Sequence, residues 1–427
     1  MSFPRLSELT GCLADYDPHA LPVEKAQQII REFVAPVAEV EHAALLGALG
    51  RVLADDIISP IDVPQHDNSA MDGYAFSSAC LSGAERVSLD VVATVLAGER
   101  CNDEIRAGQC VRIMTGAPMP PGCDTVIPQE LTVAAPDAVS FDARAVKAGD
   151  NRRLRGEDLK AGVPALAKGR VLRPADLGLL ASLGIAEVPV RRRLRVAFFS
   201  TGDELRSIGQ PLEPGCVYDS NRYSLHGMLS RLGCELVDMG VVKDDPVSLK
   251  AAFLAACECA DAVVTTGGVS VGEADYTKQI MAELGDVTFW KIGMRPGRPM
   301  AFGRVSSNGK SACLFGLPGN PVAVMVTFYF FARNALLRMM GAEDAPLPLL
   351  RVASQSDIRK KPGRTEYQRG ILSRDENGVP QVRITGAQGS GILRSMVEAN
   401  CIVVLGDGQG TVKAGDMVDV VVFEGLI

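Results

Sequence analysis

The sequence has few of the residues from which zinc and disulfide sites are made. Its 427 residues include four histidines and eleven cysteines, without a CxxC pair or an HExxH motif. The closest cysteine spacing is Cys257 and Cys259. An odd, dispersed set of cysteines in a chain of this length predicts reduced thiols that pack in the interior, and it argues against a disulfide framework or a zinc site.

The sequence also lacks an excess of positive charge and a long apolar run. Its net charge of −7 argues against nucleic acid as a partner, because phosphate backbones require a basic surface. The longest apolar run, residues 322–332, is shorter than the roughly 20 residues of a membrane span. The opening MSFPRLSELTG lacks the basic and apolar segments of a signal peptide. We therefore expect a cytoplasmic protein with no membrane partner.

What the sequence does contain is a double glycine after a short β-branched run. Gly267 and Gly268 follow residues 261–266, and Ser270 and Asp275 come shortly afterwards. Bare amides at the end of a strand can approach an anion closely, and carboxylates beside a phosphate imply a bridging cation such as Mg²⁺. The alternative is an ordinary strand-to-helix turn with solvated acids. The length and order of the motif favour a phosphate site.

Strands alternate with helices from residue 195 to residue 265, with helices predicted over 220–232 and 246–259. This alternation is typical of a doubly wound parallel sheet, which binds ligands outside the carboxyl ends of its strands. Three polar loops follow predicted strands, and we expect them to meet at one crevice: residues 200–204, 242–245 and 266–268.

The rest of the chain alternates between helical and β-rich segments. Helical spacing is present at residues 23–34, 42–49 and 172–183, and short strands separated by Gly and Pro occupy residues 61–158 and the region after residue 346. We expect the helix at 172–183 to pack on the N-terminal helices, which makes the β segment an insertion. The predicted fold is α/β and multidomain: a helical N-terminal segment (1–60 plus 159–190), an inserted small β domain (61–158), a doubly wound domain (191–345) and a C-terminal β domain (346–427).

Several loops carry polar groups whose role the residues alone leave open. The loop around Asp67 reads as Asx-turn chemistry or as a polar rim that reaches a substrate from another domain. Thr115 begins a rigid Pro- and Gly-rich turn, and residues 152–158 are a mixed charge run that is typical of a solvated face.

A basic loop and a proline-rich helix start are further candidate anion sites. Lys291, Arg295 and Arg298 lie in a loop that contains two prolines, and arginine can bind an oxyanion through its planar fork. The segment 316–321, GLPGNP, opens an apolar helix whose N-terminal amides also attract anions.

Six of these motifs, in this order, resemble the molybdopterin molybdenumtransferase family, the bacterial MoeA family that includes the C-terminal domain of gephyrin. They are DNSAMDGYA, TGAPMPPG, STGDEL, TTGGVSVGEADYTK, RPGRP and GLPGNP. The resemblance implies an elongated subunit of four domains that forms a homodimer. The active site then lies between the doubly wound molybdopterin-binding domain of one subunit and the second domain of its partner. It implies a reaction in which Mg²⁺, molybdate and adenylated molybdopterin give molybdenum cofactor and AMP.

The resemblance also assigns roles by motif. The implied acidic, metal-associated group is Glu204, Asp244 and Asp275. The residues implied to bind the pterin phosphate are Gly267, Gly268 and Ser270. The residues implied to line the molybdate and nucleotide side are Lys291, Arg295, Arg298, Pro318, Pro321, Arg364, Arg369 and Ser390. The second domain, across the dimer interface, contributes Asp67, Thr115 and Asp158.

Three residues in two motifs depart from the family pattern, and two alternative functions remain. Arg295 and Arg298 replace the lysines of KPGKP, and Ala323 stands where Ser is frequent, so oxyanion geometry and selectivity, including molybdate against tungstate, are open. The alternatives are a molybdopterin adenylyltransferase and a non-catalytic pterin-binding scaffold. The resemblance implies the adenylyltransferase and apo-molybdoenzymes as partners.

Overall fold

The computed structural model describes Leu6 and residues 21–268, 280–281, 283–344 and 346–423. The first helix, α1, spans Val23–Phe33, as its spacing predicts. It packs on the core of the doubly wound domain, where the ring of Phe33 lies 5.2 Å from that of Phe302. Residues 42–49 are not a helix, and that prediction was wrong. Val40–Ala44 is a strand followed by a 3₁₀ turn, Leu45–Gly47.

Long-range pairing explains the difference. Val40–Ala44 forms an antiparallel ladder with Glu187–Arg191, which satisfies backbone groups that an isolated short helix would leave half unpaired. A second ribbon pairs Ile57–Ile58 with Pro164–Leu166. Helix α2 (Pro174–Ser182) is confirmed, and it packs on the core of these ribbons beside the turn Leu45–Gly47, which belongs to the N-terminal segment at 42–49.

The inserted region contains a six-stranded sheet. Residues 73–142 supply its strands, which lie in the order Thr125–Pro128, Gly73–Phe76, Gln109–Ile113, Arg86–Val95, Ala138–Asp142 and Val133–Ala134. A two-stranded ribbon of Asn68–Ser69 with Arg152–Arg153 joins the two ends of the insertion. Short 3₁₀ turns connect the strands at Ser78–Leu81, Gln129–Leu131 and Ala143–Ala145.

The doubly wound domain is confirmed. At one edge of its sheet, two further strands are added by antiparallel pairing. In chain order its strands are β1 (Arg195–Thr201), β2 (Glu235–Val242), β3 (Ala262–Thr266), β4 (Gly285–Lys291), β5 (Pro299–Ser307) and β6 (Lys310–Leu317). Their order across the sheet is β2-β1-β3-β6-β5-β4, and the first four are parallel. The helices are α3 (Ser220–Arg231), α4 (Pro246–Cys259) and α5 (Pro321–Met339).

Helix α5 continues well beyond the apolar run that marks it in the sequence. It comprises Pro321–Thr327, a π-helical turn at Phe328–Ala332, and Arg333–Met339. Its 19 residues are long and apolar enough to cross a membrane by length and composition, but 72% of the most apolar window is buried in the protein. Packing within the core therefore accounts for its hydrophobicity.

The C-terminal β domain is a barrel. Its strands are Leu350–Ser354, Thr365–Arg374, Pro380–Ile384, Cys401–Leu405 and Met417–Val422, with a short helix at Arg394–Glu398. Thr365–Arg374 pairs with both Pro380–Ile384 and Cys401–Leu405, which closes the ring. Met294–Arg295 pairs in parallel with Thr365 and Glu366, so a loop of the doubly wound domain is attached to the barrel.

Candidate active site

The ends of three neighbouring parallel strands form the centre of the candidate site. Strand β1 lies between β2 and β3, and the last paired residues are Thr201 with Val242 and Ser200 with Thr266. The loops that follow these strands therefore leave the sheet side by side, as the sequence predicts. This is the position at which doubly wound sheets bind ligands.

The first half of the double-glycine loop contacts the backbone of the next loop. Gly267 has φ +87°, and a Cβ placed on it would lie 2.2 Å from the carbonyl oxygen of Thr201. Gly268 also has positive φ, at +66°. A Cβ on Gly319 would lie 3.8 Å from the Cα of Gly267, so the GLPGNP loop borders the same space. Ser270 and Asp275, which the sequence assigns to this site, lie outside the described residues.

The loops after β1 and β2 contain several acidic residues, among them Asp203, Glu204 and Asp244. The carboxylate of Glu204 folds back over Gly202, with Oε2 2.6 Å from the position of a Cβ on that glycine. The Asp244 amide lies 3.4 Å from Oδ1 of Asp203, which brings the two loops together. Asp203 has no role assigned by motif, although the loop that contains it, 200–204, is predicted to lie at the crevice.

No cluster of three or more His, Cys, Asp or Glu side chains forms a compact metal cage in the part of the chain that the structure describes. The predicted third acid, Asp275, is outside that part. The carboxylate oxygens of Asp203, Glu204 and Asp244 are nevertheless the donor type that Mg²⁺ prefers, and Mg²⁺ is commonly held by one or two carboxylates together with substrate phosphates. The donor set therefore fits Mg²⁺.

Beneath these loops lies a buried polar chain that the sequence analysis did not find. The Thr266 hydroxyl lies 3.1 Å from Oγ of Ser200, which donates to Oδ1 of Asp219 over 2.9 Å. Asp219 is 2% exposed, and it caps α3 by accepting from the Arg222 amide over 3.1 Å. An Asp-Ser-Asn run before a helix is the sequence signal for such a cap.

The cationic loop lies at the opposite end of the strand order. Lys291 ends β4 and Arg298 immediately precedes β5, and the Ile292 amide donates to the Arg298 carbonyl over 2.8 Å. Gly297 packs so closely on α5 that a Cβ there would lie 2.4 Å from the Thr327 hydroxyl. Ala323, also in α5, is buried. The side chains of Arg295 and Arg298 are exposed.

Arg369 of the barrel lies behind this loop. It is 1% exposed, its Nε donates to the Ser395 hydroxyl over 3.0 Å, and its Nη2 donates to the Gly389 carbonyl over 3.1 Å. Burial, with a smaller contribution from the nearby charge of Arg295, lowers the pKa of Arg369 to about 10. A buried cation with neutral oxygen partners is costly, and a bound anion would offset that cost.

The remaining residues of the predicted molybdate side surround the start of α5. The Val322 amide donates to the Ser390 carbonyl over 3.0 Å, and Asn221 Nδ2 donates to the Gly319 carbonyl over 2.7 Å. Pro318 and Pro321 lie in this turn. Arg364 lies beside the cationic loop instead: the amide of the next residue, Thr365, donates to the Gly293 carbonyl over 2.9 Å, and Arg364 Nε lies 3.9 Å from Oε1 of Glu366.

Asp67, Thr115 and Asp158 have their partners within the inserted region. Asp67 accepts from Arg152 and from the Arg155 amide, the latter over 2.7 Å. Both the amide and the hydroxyl of Thr115 donate to Oδ1 of Asp72 over 2.7 Å. The Asp158 amide donates to the Val63 carbonyl over 3.1 Å. The charge run at 152–158 is therefore not simply a solvated face, because Arg152 is ion-paired.

Hydrogen bonding and ion pairing lower the pKa of two carboxyl groups in the inserted region, those of Asp67 and Asp72. Partial burial raises the pKa of Asp67, but the Arg155 amide and Arg152 outweigh that effect, and the net result is a pKa below the ordinary value. Donation from the amide and then the hydroxyl of Thr115 lowers the pKa of Asp72.

The charges follow the strand order. Acidic loops lie at β2 and β1, glycine loops at β3 and β6, and the cationic loop at β5 and β4. Strands are about 4.8 Å apart, so the acidic and cationic ends are separated by roughly 15–20 Å. Such an edge can bind an elongated anionic ligand with a metal at one end and an oxyanion at the other.

Comparison with known proteins gives matches along most of the chain. Residues 21–184 match the MoeA N-terminal region (domains I and II), residues 197–338 match a probable molybdopterin binding domain, and residues 351–423 match the MoeA C-terminal region (domain IV).

Individual relatives cover nearly the whole chain. A molybdopterin molybdenumtransferase of Haemophilus influenzae is 40% identical over 95% of this chain and 100% of its own length. One of Nostoc is 37% identical over 88% of this chain and 87% of its own. The crystal structure of a molybdopterin biosynthesis MoeA protein from Pyrococcus horikoshii superposes with a TM-score of 0.80 at 29% identity, covering 95% and 100% of the two chains.

Proposed function

Because the chain belongs to the MoeA family of molybdopterin molybdenumtransferases, we propose that it cleaves adenylated molybdopterin in a molybdate- and Mg²⁺-dependent reaction that releases AMP. Its general role, as a transferase of molybdenum cofactor biosynthesis, follows from the family itself. The observation that carries the finer proposal is the order of charges along one sheet edge: acids, glycines, then cations.

The glycine loops bind the diphosphate of the substrate. Gly267 and Gly268 have positive φ and carry no side chain, so substrate phosphates can approach the backbone closely. The GLPGNP loop and the first turn of α5 border the same space and add helix N-terminal amides. Ser270 completes this group in the proposal.

The acidic loops hold Mg²⁺ through Glu204, Asp244 and Asp275, with Asp203 as an additional oxygen donor. When bound, Mg²⁺ neutralises charge that accumulates on the diphosphate as its link to AMP breaks. The residues of the acidic loops orient the phosphoanhydride between their own carboxylates and the amides of the glycine loops. Positioning of this kind supplies a large part of the rate enhancement in phosphate-transfer reactions.

The cationic end holds molybdate. Arg295 and Arg298 are exposed beside Lys291, and Arg369 supplies a buried charge whose hydrogen-bond partners in the described part of the chain include no carboxylate. Ser390, Pro318 and Pro321 form the wall, and Arg364 lies at the rim. Planar guanidinium forks in place of lysines hold a tetrahedral oxyanion in a defined orientation.

A homodimer completes the site in this proposal. Asp67, Thr115 and Asp158 lie on the inserted domain and have hydrogen-bond partners there, and in this proposal the inserted domain of a second subunit brings them to the crevice. An isologous contact of this kind creates two equal sites. We further propose a cytoplasmic protein that receives its substrate from the adenylyltransferase and passes the product to apo-molybdoenzymes.

The first test combines purified protein with adenylated molybdopterin, Mg²⁺ and molybdate. Release of AMP and reactivation of a cofactor-free molybdoenzyme are measured in the same samples, with molybdate or Mg²⁺ omitted as controls. AMP release that requires both ions, together with reactivation, is the expected result. Substrate binding without AMP release would contradict the proposal and favour a scaffold role, whereas ATP-dependent formation of the adenylated compound would identify an adenylyltransferase.

A further inference from the structure

A buried carboxylate, that of Glu366, lies beside the cationic loop and has no part in the function proposed so far. Glu366 is 4% exposed. It pairs in parallel with Arg295 in the short ladder that joins the cationic loop to the barrel. Residues in register on neighbouring strands have their side chains on the same face of a sheet. The side chains of Glu366 and Arg295 therefore leave the ladder on the same side.

Two more cationic residues approach Glu366 from the segment that precedes it. The Nε of Arg364 lies 3.9 Å from Oε1 of Glu366. Lys360 is 5% exposed; burial lowers the pKa of its ammonium group, and the nearby charge of Glu366 opposes that effect. Lys360 Nζ donates to the carbonyls of Gln409, over 2.7 Å, and Asp407, over 3.3 Å. Glu366 is thus a buried anion with three cationic residues around it.

The contact with Arg364 holds this side chain by charge and leaves its donors available. At 3.9 Å the two groups form an ion pair but no hydrogen bond. The Arg364 side chain is 46% exposed, and its guanidinium donates to no acceptor within the described residues. The other oxygen of the carboxylate, Oε2, accepts from Gln368 Nε2 over 2.9 Å. The guanidinium can therefore bind an oxyanion while Glu366 keeps it beside the cationic loop.

A carboxylate in this position can serve the barrel or the site. If it served the barrel alone, its partner would be Lys360, which is buried with it. The Lys360 ammonium already has carbonyl partners, however, whereas Glu366 is the ion-pair partner of Arg364 in the described part of the chain. An exposed arginine without such a partner loses side-chain entropy when it binds a ligand, and a partner that fixes it in advance reduces that cost.

We propose that Glu366 is a positioning residue of the cationic end, which holds Arg364 at the rim so that its guanidinium faces the oxyanion bound by Arg295 and Arg298. The inference rests on the proposed function, which assigns molybdate to this end. Glu366 contacts no substrate in this arrangement, and its effect on binding is transmitted through Arg364.

The test measures molybdate binding by calorimetry. Glu366→Gln keeps the size of the side chain and an acceptor for Gln368 but removes the charge, and it should weaken molybdate binding about tenfold. The sign is decisive, because loss of a negative charge near an anion site would by itself strengthen binding. Glu366→Asp, which keeps the charge, should lose less affinity. Glu398→Gln, which removes the carboxylate partner of Arg394 in the same domain, is the matched control and should bind molybdate normally.

A double-mutant cycle identifies the residue through which Glu366 acts. Once Arg364→Ala has removed the guanidinium, addition of Glu366→Gln should cause no further loss of affinity. Lys360→Met should leave the affinity unchanged, since the hydrogen-bond acceptors of Lys360 are carbonyls of the barrel. Unchanged or tighter binding by Glu366→Gln, the same loss in both Arg364 backgrounds, or an equal loss in Lys360→Met would overturn the inference.

A stability measurement covers the case in which Glu366→Gln cannot be purified. Arg364→Ala leaves a buried carboxylate with one cation fewer, so its urea midpoint should fall further than that of Arg394→Ala, whose partner Glu398 is exposed. Equal midpoints for the two variants would show that Arg364 and Glu366 do not interact, which would also overturn the inference.

The result is separable from that of the proposed function. Molybdate binding that depends on Glu366, without molybdate-dependent AMP release, would keep the positioning role and remove the insertion reaction. Molybdate-dependent AMP release with the same molybdate Kd in Glu366→Gln would do the reverse.

Discussion

The carbonyl oxygen of Thr201 lies 2.2 Å from the point at which a Cβ on Gly267 would be placed. The ends of β1 and β3 are thus in backbone contact, and no residue other than glycine can stand at position 267 without moving one of them. The contact brings the acidic loop after β1 next to the glycine loop after β3. In the proposed reaction these two loops hold the metal and the diphosphate, respectively.

Gly267→Ala should therefore damage both stability and activity. The positive φ alone costs about 1–2 kcal/mol for a residue with a Cβ, and displacement of the Thr201 carbonyl adds to that. Gly240→Ala is the matched control, because Gly240 has φ +78° and no atom of the described residues lies within 4 Å of its Cβ position. Urea unfolding and AMP-release assays should show a larger loss for Gly267→Ala. Equal losses in the two variants would mean that the close approach has no effect beyond strain.

Arg369→Met should abolish stabilisation by molybdate while changing the ligand-free protein little. Removing a buried cation compensates for the lost hydrogen bonds to Ser395 and Gly389, so we expect the free energy of unfolding without ligand to change by no more than about 1 kcal/mol. Molybdate at 100 Kd should raise the free energy of unfolding of the unmodified protein by about 2.7 kcal/mol. Thermal unfolding with and without molybdate measures both effects. Arg383→Met, at an exposed barrel position, is the control, and a retained molybdate response in Arg369→Met would contradict the assignment.

Asp67→Asn and Glu204→Gln should complement each other if the site is shared between subunits. Each variant alone should be inactive. Random mixing makes half of the dimers mixed, and one intact site in each gives roughly a quarter of the normal activity. AMP release by co-expressed variants is the measurement. Asp62→Asn also removes a carboxylate partner of Arg155. It is the control that shows whether disturbing this loop is sufficient by itself to abolish AMP release. No recovery on co-expression would place both acids in one subunit's site.

The ion pair of Asp67 should make stability depend on pH at the acidic end. The folded pKa of Asp67 lies below its ordinary value, so its contribution is present above that ordinary value, about 4, and is lost as the pH falls through the lowered pKa. The free-energy difference between the unmodified protein and Asp67→Asn, measured by urea unfolding, should shrink between about pH 6 and about pH 3. A difference that stays constant over this range would show that ionisation of Asp67 does not stabilise the fold.

Asp203→Asn should raise the Mg²⁺ concentration required for AMP release. The Asp203 carboxylate lies beside the Asp244 amide, and a neutral amide binds Mg²⁺ more weakly than a carboxylate does. Titration of Mg²⁺ at saturating substrate gives the comparison. Glu213→Gln, in the same region but paired with Arg206, should leave the titration unchanged. An identical Mg²⁺ requirement for Asp203→Asn would remove Asp203 from the metal site.

Local signals in the sequence were sufficient where residues close in the chain decide the structure. Helix α4 begins and ends at Pro246 and Cys259 as predicted, since its Asp245 cap and N-terminal proline act within one turn. The segment at 42–49 was predicted wrongly for the converse reason. Its partner strand, Glu187–Arg191, lies more than 140 residues away, and helical spacing in eight residues cannot reveal that pairing.

The candidate site shows the same division. The motifs predict that Glu204, Gly267 and Arg298 belong to one site, but they do not single out Asp203 or Asp219, whose roles depend on what approaches them. Arg369 was assigned by motif alone, and the cause of its lowered pKa, burial beside Arg295, exists only in the folded barrel.

The sequence by itself determined the alternation of strands and helices, the loops that follow the strands, and the resemblance to the MoeA family, because each depends on residues near one another in the chain or on their order. Tertiary structure alone decided that β4 and β5 run antiparallel at the edge of the sheet, that Met294–Arg295 joins the barrel, and that Lys360 donates to the carbonyls of Asp407 and Gln409. The physical reason is that hydrogen bonding between strands and burial of side chains join segments that are distant in the chain, and no local pattern encodes which distant segment will be the partner.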